Sequence, residues 1–257
     1  MNEPLVVSET SLSVAWARAF LALMEKGASM RTPAVISING IEDGHSLENS
    51  KIRTALDETL KKNSDSSCAT VANTIFPQSM WNPNAENDAA LLYQRYEKAW
   101  EGIKKCPQNR NGVYFRRLAA YHPKGSTAKP TNQLQFIVEN YAGGNHRKSA
   151  MQAAILDPTR DHTANRQKGF PCMQQVAFTP LKNDGLTVTG YYATQYVFEK
   201  AYGNYLGLLN LGRFMGKQMG MELRQVVCIA SVLSRGAPTK EALDPLALKV
   251  SELLKIK

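Results

Sequence analysis

Cysteine and histidine are scarce in this chain, which has four of each. The cysteines are Cys68, Cys106, Cys172 and Cys228. No two of them form a Cys-x-x-Cys pair, and none has a histidine at the spacing that metal ligands show. The sequence therefore predicts no metal site.

Long uninterrupted hydrophobic runs are also absent from the sequence. The apolar stretch at residues 204–215 is interrupted by Asn210 and Arg213 and is too short to span a bilayer. The first four residues, Met-Asn-Glu-Pro, lack the basic segment and the apolar run of a signal peptide. We therefore expect no membrane partner, and a cytoplasmic protein whose thiols are reduced.

Acidic residues are outnumbered by basic ones, at 22 against 31, which gives the chain a net charge of +9. This excess is typical of a solvated, lysine-rich surface, and equally of a protein that binds an anionic nucleotide or a nucleic acid. The basic residues are spread over the whole chain and no nucleic-acid-binding motif is recognised. Nucleic acid is therefore the less favoured of the two ligands.

No internal repeat and no linker divides the chain, so we expect a single domain over residues 1–257. At this length, and with 43% hydrophobic residues, the chain can bury a sizeable core. Apolar periodicity predicts helices over residues 11–26, 47–62, 88–104, 131–141 and 239–255. Strands are predicted over residues 33–39, 69–76, 112–120 and 222–234, and residues 147–156 fit either a strand or a helix.

The chain is organised around residues 170–208. Cys172 opens one alternating run and residues 186–192 form a second, with a turn at residues 182–185 between them. Two such runs around an Asp-Gly turn predict a β-hairpin. Apolar residues then recur at helical spacing and predict a long buried helix. These residues are Phe198, Tyr202, Tyr205, Leu206, Leu209 and Phe214.

Glycines recur every four or five residues along this predicted helix. They are Gly203, Gly207, Gly212, Gly216 and Gly220. Because glycine costs a helix about 1 kcal/mol, a close packing contact explains the pattern better than a phosphate-binding loop does. We expect these glycines to let the helix pack closely against the sheet.

The order of cysteine, hairpin and long helix resembles the thymidylate synthase superfamily. Pro171-Cys172 matches the family's Pro-Cys-His step, Phe178 lies in the strand that follows, and Asn204 lies at the position of the family's base-reading asparagine. The match extends over residues 67–234 by order and spacing. It implies an α+β, thymidylate synthase-like fold, in which a mixed β-sheet packs on a long central helix with flanking helices.

Two upstream segments extend the resemblance. Residues 112–117 are similar to the family's Val-Tyr-Gly…Arg segment, and residues 146–148 are similar to its paired-arginine step. The resemblance implies that Cys172 is the catalytic nucleophile, which adds to C6 of a pyrimidine. A buried structural cysteine is the alternative interpretation. The substrate-binding residues that the resemblance implies are Tyr114, Arg116, Arg117, Arg147, Lys148, Gln174 and Asn204.

The sequence departs from the family where phosphate, folate and ribose are bound. Met173 replaces the histidine after the cysteine, Ala193 replaces a phosphate-binding arginine, and Tyr196 replaces the folate-binding aspartate. Residues 67–71 align with the family's Arg-Thr-Gly-Thr-Gly strand and residues 231–235 with its ribose-binding step, and neither keeps the family's residues. Losing two phosphate-binding arginines costs roughly 3–6 kcal/mol, or 10²–10⁴ in affinity. Ordinary thymidylate synthase activity on dUMP is therefore not expected.

The sequence thus predicts a divergent relative of the thymidylate synthases that binds a nucleotide or a modified pyrimidine. The predicted reaction is methyl or hydroxymethyl transfer to C5 of the base through Cys172. The alternative is a catalytically silent subunit that senses a nucleotide or assembles with a protein partner. The resemblance also implies a homodimer, in which Arg147 and Lys148 reach the neighbouring subunit. It implies methylenetetrahydrofolate as cofactor, although the residues that bind this folate are largely absent.

Overall fold

The computed structural model describes residues 4–164 and 170–255, and these residues form a mixed α/β structure. The helices are α1 (Leu12–Met24), α2 (Ser50–Lys62), α3 (Cys68–Ile75), α4 (Asp88–Ile103), α5 (Tyr114–Ala119), α6 (Gln133–Ala142), α7 (Pro158–Asp161), α8 (Tyr202–Met219) and α9 (Lys240–Lys255). The strands are β1 (Leu5–Glu9), β2 (Met30–Arg31), β3 (Ala34–Ile38), β4 (Ile41–Glu42), β5 (His45–Ser46), β6 (Gln152–Ala154), β7 (Met173–Pro180), β8 (Gly185–Tyr196) and β9 (Glu222–Ser234).

A mixed sheet with the strand order β1-β3-β9-β8-β7-β6 forms the centre of the structure. β1 and β3 are parallel, as are β8 and β9, and the other neighbouring strands are antiparallel. The short strand β2 pairs with the end of β9. The two longest strands, β8 and β9, therefore lie in the middle of the sheet, and β1 and β6 form its edges.

The helix α8 covers the inner face of this sheet. Its Tyr202, Tyr205 and Phe214 are among the largest fully buried side chains. Leu208 of α8 packs against Gly190 of β8, where an added Cβ would lie 2.7 Å from the leucine. The prediction of a long buried helix packed on a mixed sheet is confirmed.

The opposite face of the sheet, here called the outer face, is partly exposed. Residues that pair across neighbouring strands form rows on this face, and two neighbouring rows contain no charged residue. The first row is Val6, Val35, Ile229, Tyr191, Gln175 and Ala154. The second row is Ser8, Ser37, Val227, Thr189, Ala177 and Gln152. Each row crosses six strands, so the outer face is a broad uncharged surface on a basic chain.

The predicted hairpin is confirmed as β7 and β8, with inward side chains that pack on the core. Asn183 and Asp184 in the connecting turn have φ angles of 55° and 53°. Two consecutive left-handed residues are typical of a type I′ turn, whose twist matches that of the strands that it joins. The turn residues in the sequence therefore set the pairing of β7 with β8.

The strands predicted at residues 69–76 and 112–120 are wrong. The first segment forms α3, which Ser67 caps by accepting a hydrogen bond from the Thr70 amide, and the second contains α5. β-Branched residues suggested a strand at residues 69–76, but the buried positions recur at helical spacing. The buried residues of α3 are Cys68, Val71, Ala72 and Ile75.

Residues 147–156 contain β6, preceded by one 3₁₀ turn at Lys148–Ala150, so the strand alternative is confirmed for the centre of this segment. The first strand, β1, was not predicted from the sequence. It pairs with β3 along its whole length, and this partner lies more than 20 residues away in the chain. Within the described ranges of the chain, no helix is both long and apolar enough to cross a membrane.

The glycines of α8 make two kinds of close contact. A Cβ added at Gly203 would lie 2.7 Å from the Cys68 carbonyl oxygen, and one at Gly207 would lie 2.9 Å from the Ala72 carbonyl oxygen. Gly212 instead faces side chains of β8 and β9. The predicted close packing is confirmed at these positions, but two of the three glycines pack on the helix α3 rather than on the sheet.

Candidate functional site

Cys172 ends a short loop that leads into β7. A cis peptide bond joins Phe170 to Pro171. Gln174 donates from Nε2 to the carbonyl oxygens of Pro171 (2.8 Å) and Cys172 (3.2 Å), and the Ala193 amide donates to the Cys172 carbonyl oxygen (2.9 Å). These bonds hold the backbone around a half-buried thiol. Gln174, which was predicted to bind substrate, is thus engaged with the loop itself.

The Tyr114 hydroxyl lies beside this cysteine. Tyr114 is the first residue of α5, and its side chain is buried. Its oxygen accepts hydrogen bonds from the backbone amides of Cys172 (3.3 Å) and Met173 (3.5 Å), and the nearby hydroxyl lowers the pKa of the Cys172 thiol. A donor at this place stabilises a thiolate, so Tyr114 belongs to the site through its contact with the cysteine.

The surroundings of Cys172 favour the neutral thiol. Burial raises the pKa of Cys172 above its ordinary value of 9.0. The positive charge of Lys200 and the hydrogen bond from Tyr114 act in the opposite direction and do not cancel the effect of burial on this pKa. The thiol is therefore largely protonated near neutral pH in the free protein.

Tyr192 contributes a fully buried hydroxyl that has no hydrogen-bond partner among the described residues. Burial raises the pKa of Tyr192, and the nearby ionisable groups of Cys228, Tyr114 and Cys172 raise this pKa further. The Tyr192 side chain therefore lies close to the candidate nucleophile. Nearly all buried polar groups in proteins are paired, so an unpaired hydroxyl here is suited to complete its bonding with a ligand or a water molecule.

Asn204 lies near the same point of the inner face. Leu208, one helical turn later, packs against Gly190 of β8. The chain runs in opposite directions in α8 and β8, because Gly212 of α8 contacts Val188, which precedes Gly190 in β8. The residue one helical turn before Leu208 therefore lies beside the inward residue that follows Gly190 in β8. This register brings Asn204 level with Tyr192. Asn204 is 4% exposed, and no hydrogen bond to its carboxamide is found within the described residues. The amide is thus free to donate and to accept.

Arg116 and Arg117 are both engaged within the protein. Arg117 is 4% exposed and donates two hydrogen bonds to Asp161, at 2.6 and 2.8 Å. Arg116 forms an ion pair with Glu97, and its guanidinium carbon lies 4.7 Å from a ring centroid of Trp100. Both guanidiniums therefore have a carboxylate partner within the protein, and the substrate-binding role that the resemblance implies for them stays a prediction.

Arg147 and Lys148 are exposed and precede the edge strand β6. No carboxylate within the described residues forms an ion pair with either side chain. Both cations are therefore available to an anionic ligand or to a second chain, and the role that the resemblance implies for them stays a prediction.

Arg31, a basic residue at the end of the sheet, was not singled out from the sequence. Residues 67–71, which were aligned with the family's Arg-Thr-Gly-Thr-Gly strand, lie at the start of the helix α3, so no strand is formed there. An Arg-Thr step that does lead into a strand is Arg31-Thr32, before β3. Arg31 lies in β2, beside the end of β9, and donates to Glu25 at 2.8 Å. The Arg-Thr step before a predicted strand was the signal that could have revealed it.

Lys200 is a second basic residue that sequence analysis missed. It is exposed and lies in a single π-helical turn, Val197–Ala201, between β8 and α8. Its charge lowers the pKa of Cys172. Single π-helical turns recur at functional sites, but they leave no periodic signal in a sequence.

No protein-family model matches the chain, and no curated protein is similar to it. In the part of the chain that the structure describes, no group of three or more His, Cys, Asp or Glu side chains could hold a metal ion. The groups that the site offers are a thiol, two phenols and a carboxamide. They belong to Cys172, Tyr114, Tyr192 and Asn204.

Proposed function

We propose that this protein binds a pyrimidine nucleotide or a modified pyrimidine, and that Cys172 adds to C6 of the base. One arrangement supports the proposal: the half-buried Cys172 thiol lies next to Tyr114 and one residue before the partner of Tyr192 in the hairpin, and the register of α8 on β8 brings Asn204 level with Tyr192. The Tyr192 hydroxyl and the Asn204 carboxamide lack hydrogen-bond partners within the described residues. The resemblance to the thymidylate synthase superfamily supplies the base and the reaction class.

The reaction that we propose begins when Cys172 loses its proton and the thiolate attacks C6. The electrons of the C5–C6 double bond then move toward C5 and the neighbouring carbonyl, so that C5 becomes nucleophilic. C5 then attacks an activated methyl group, whose bond to its carrier breaks and leaves the electron pair on the carrier, or it adds to a formaldehyde-level carbon whose oxygen takes up a proton. Loss of the C5 proton with expulsion of the thiolate then restores the double bond. Tyr114 supports the thiolate, and the Asn204 amide pairs with a donor and an acceptor of the base edge.

Methylenetetrahydrofolate, the one-carbon donor that the resemblance implies, does not fit the residues present. Tyr196 occupies the position of the family's folate-binding aspartate and has no carboxylate. Its side chain is 44% exposed at the end of β8. We therefore assign no folate to this site, and we expect a substrate other than dUMP.

We further propose that two copies of the chain associate through the outer face. The two rows of this face contain no charge, although the chain carries a net charge of +9. A second copy can therefore cover the face without bringing like charges together, and a two-fold axis makes one such patch complementary to itself. The homodimer that the resemblance implies agrees with this arrangement, and the exposed Arg147 and Lys148 remain candidates to reach the partner.

Intact-mass spectrometry tests the covalent step. The protein is incubated with 5-fluoro analogues of uracil and cytosine nucleotides, with and without methylenetetrahydrofolate or formaldehyde as one-carbon donor. Once C5 has accepted the one-carbon unit, its fluorine cannot leave as the proton does, and the thiol stays bound. We expect a mass increase that includes one nucleotide, absent in Cys172→Ser and retained in Cys106→Ser, which removes an exposed thiol. A folded wild-type protein that forms no adduct with any analogue would contradict the covalent proposal.

A catalytically silent subunit that senses a nucleotide is the second candidate function. The raised pKa of Cys172 favours it, because a neutral thiol is a poor nucleophile. Calorimetric titration separates the two candidates. Equal nucleotide affinities of the wild type and Cys172→Ser, together with no adduct in the mass experiment, would support the silent subunit.

A further inference from the structure

We propose that Arg117 is a positioning residue for the Cys172 thiol. It acts through the ring of Phe170 and the hydroxyl of Tyr114 and does not touch the sulfur. This inference rests on the proposed function, because the position of the thiol matters only if the thiol reacts. The contacts form a chain of three steps.

The first step is the fixed position of the Arg117 guanidinium. Its Nη1 donates to Asp161 Oδ2 (2.6 Å) and to the Ile155 carbonyl oxygen (2.7 Å), and its Nη2 donates to Asp161 Oδ1 (2.8 Å). Asp161 also accepts a hydrogen bond from the Asp157 amide (2.7 Å). Both partners of the ion pair are buried, so neither can exchange its partner for water without leaving an unpaired buried charge.

The second step is the contact of this guanidinium with Phe170. The guanidinium carbon of Arg117 lies 4.9 Å from the centroid of the Phe170 ring, within the range of a cation–π interaction. The same ring packs against Tyr114, with the two centroids 5.0 Å apart. A Cβ added at Gly112 would lie 2.5 Å from Phe170 Cε1. The ring is thus held by a cation, an aromatic ring and the backbone.

The third step joins Phe170 to the thiol. Only Pro171 separates Phe170 from Cys172 in the chain, and Tyr114, which touches the Phe170 ring, is also hydrogen-bonded to Cys172. The contact between the two rings therefore sets the position of the Tyr114 hydroxyl, from which it can donate a hydrogen bond to a thiolate at Cys172. Hydrogen bonds weaken steeply when this geometry is lost, so a displaced ring would remove the donor that supports the thiolate.

The shape of the guanidinium explains why this position holds arginine. A planar fork can bond both carboxylate oxygens of Asp161 and still present its face to the Phe170 ring. A lysine at position 117 keeps the charge but is a compact ammonium that cannot do both. Arg117→Lys therefore preserves the charge balance and disturbs the positioning.

The test is the pH dependence of alkylation of Cys172 by iodoacetamide, measured by peptide mass spectrometry. The exposed Cys106 in the same molecules is the internal reference. In Arg117→Lys we expect the midpoint of the pH profile to move upward. The rate near pH 8 should fall about tenfold relative to Cys106, the equivalent of one lost hydrogen bond to a charged group.

Three further variants identify the route of the effect. Tyr114→Phe should move the midpoint by a similar amount, and the double variant should move it no further, because both changes remove the same hydrogen bond. Phe170→Leu leaves the ion pair intact, removes the ring, and should produce the same upward shift. An unchanged or lowered midpoint in Arg117→Lys, or a shift that adds to that of Tyr114→Phe, would overturn the proposal.

Asp88→Asn is the control variant, which shows whether a loss of stability alone shifts the alkylation midpoint. This change weakens another ion pair, between the buried Asp88 carboxylate and the partly exposed Lys217 at the far end of α8, and should leave the alkylation midpoint unchanged. Alkylation needs no nucleotide, so its outcome is separate from that of the proposed function. A shift without a nucleotide adduct would retain the positioning role and remove the pyrimidine chemistry. An adduct without a shift would retain the chemistry and remove Arg117 from it.

Discussion

Among individual residues, Tyr114 and Tyr192 use their buried hydroxyls in different ways. The Tyr114 oxygen accepts hydrogen bonds from two backbone amides of the Cys172 loop, whereas the Tyr192 hydroxyl has no partner within the described residues. An unpaired buried hydroxyl costs roughly 1–3 kcal/mol, so the fold tolerates a loss of stability at this point. Groups that are left unsatisfied beside a nucleophile are typical of a site that a ligand completes.

Replacing Tyr192 by phenylalanine removes this hydroxyl and keeps the ring. We expect the free energy of unfolding, measured by urea denaturation, to rise by about 1 kcal/mol because no hydrogen bond is lost. The matched control is Tyr205→Phe, since the equally buried Tyr205 hydroxyl donates to Gln195 at 3.4 Å. A decrease for Tyr192→Phe as large as that for Tyr205→Phe would mean that the Tyr192 hydroxyl has a partner in solution.

Arg117 illustrates what a sequence does not record about a charged residue. Its position beside Tyr114 suggested a role in substrate binding, but its partner Asp161 lies 44 residues later in the chain. Charge and order are visible in the sequence, whereas the partner depends on how α5 and α7 come together. The same holds for Arg116, whose partner Glu97 lies on α4.

Among the elements, α8 and α3 come close together because two glycines face α3. Gly203 and Gly207 stand where a methyl group would meet carbonyl oxygens of α3. This contact explains why the glycine spacing persists through a helix that residue propensity alone would disfavour. It also shows that α3, which was predicted as a strand, is required as a helix by its packing.

Gly203→Ala and Gly207→Ala should each lower the free energy of unfolding by about 1–3 kcal/mol, because the new methyl group meets backbone atoms that cannot easily move. Gly102→Ala in α4 is the matched control, since no atom lies within 4 Å of the added methyl group. That change should raise the free energy of unfolding by up to about 1 kcal/mol through helix propensity. Thermal and urea denaturation measure all three, and stabilisation by all three would contradict the packing argument.

For the whole molecule, the uncharged outer face leads to a prediction of the oligomeric state. We expect sedimentation velocity to give a mass near that of two chains. Val227→Lys should shift the protein to monomers, because a two-fold axis places the two introduced charges close to each other in an uncharged interface. Leu248→Lys is the control, since Leu248 is exposed on α9. A wild-type monomer at all concentrations would exclude the dimer.

The stability of the molecule should also depend on its buried thiols. Burial raises the pKa of Cys228 to about 12 and likewise raises the pKa of Cys68. Above the pKa of an unfolded thiol, about 8.5, the folded chain therefore holds more protons than the unfolded chain, and the free energy of unfolding falls as the pH rises.

We expect this decrease to reach up to about 3 kcal/mol per pH unit between about pH 9 and pH 10, since each thiol contributes up to about 1.4 kcal/mol per unit. Urea denaturation across this range measures it. The double variant Cys68→Ala and Cys228→Ala should make this decrease shallower, and the buried Cys172 and tyrosines account for the rest, whereas Cys106→Ala should leave it unchanged. A wild-type stability that is constant over this range would contradict the argument.

Local sequence patterns were sufficient to predict most elements of the described chain. The helices α1, α2, α4, α6 and α9, the β7–β8 hairpin and the central helix α8 follow from apolar spacing, caps and turn residues, which act between neighbours in the chain. Cys172 was singled out as a candidate nucleophile through the resemblance to the thymidylate synthase superfamily and not through local patterns alone.

Long-range packing was needed for α3, α5 and β1, and for the partners of the site residues. β1 exists as a strand because it pairs with β3, and α3 is a helix because it packs on the glycines of α8. The Tyr114 hydroxyl meets Cys172 58 residues later in the chain. A periodic pattern reports which face of an element is buried, but the side chains that meet across that face depend on elements far away in the chain.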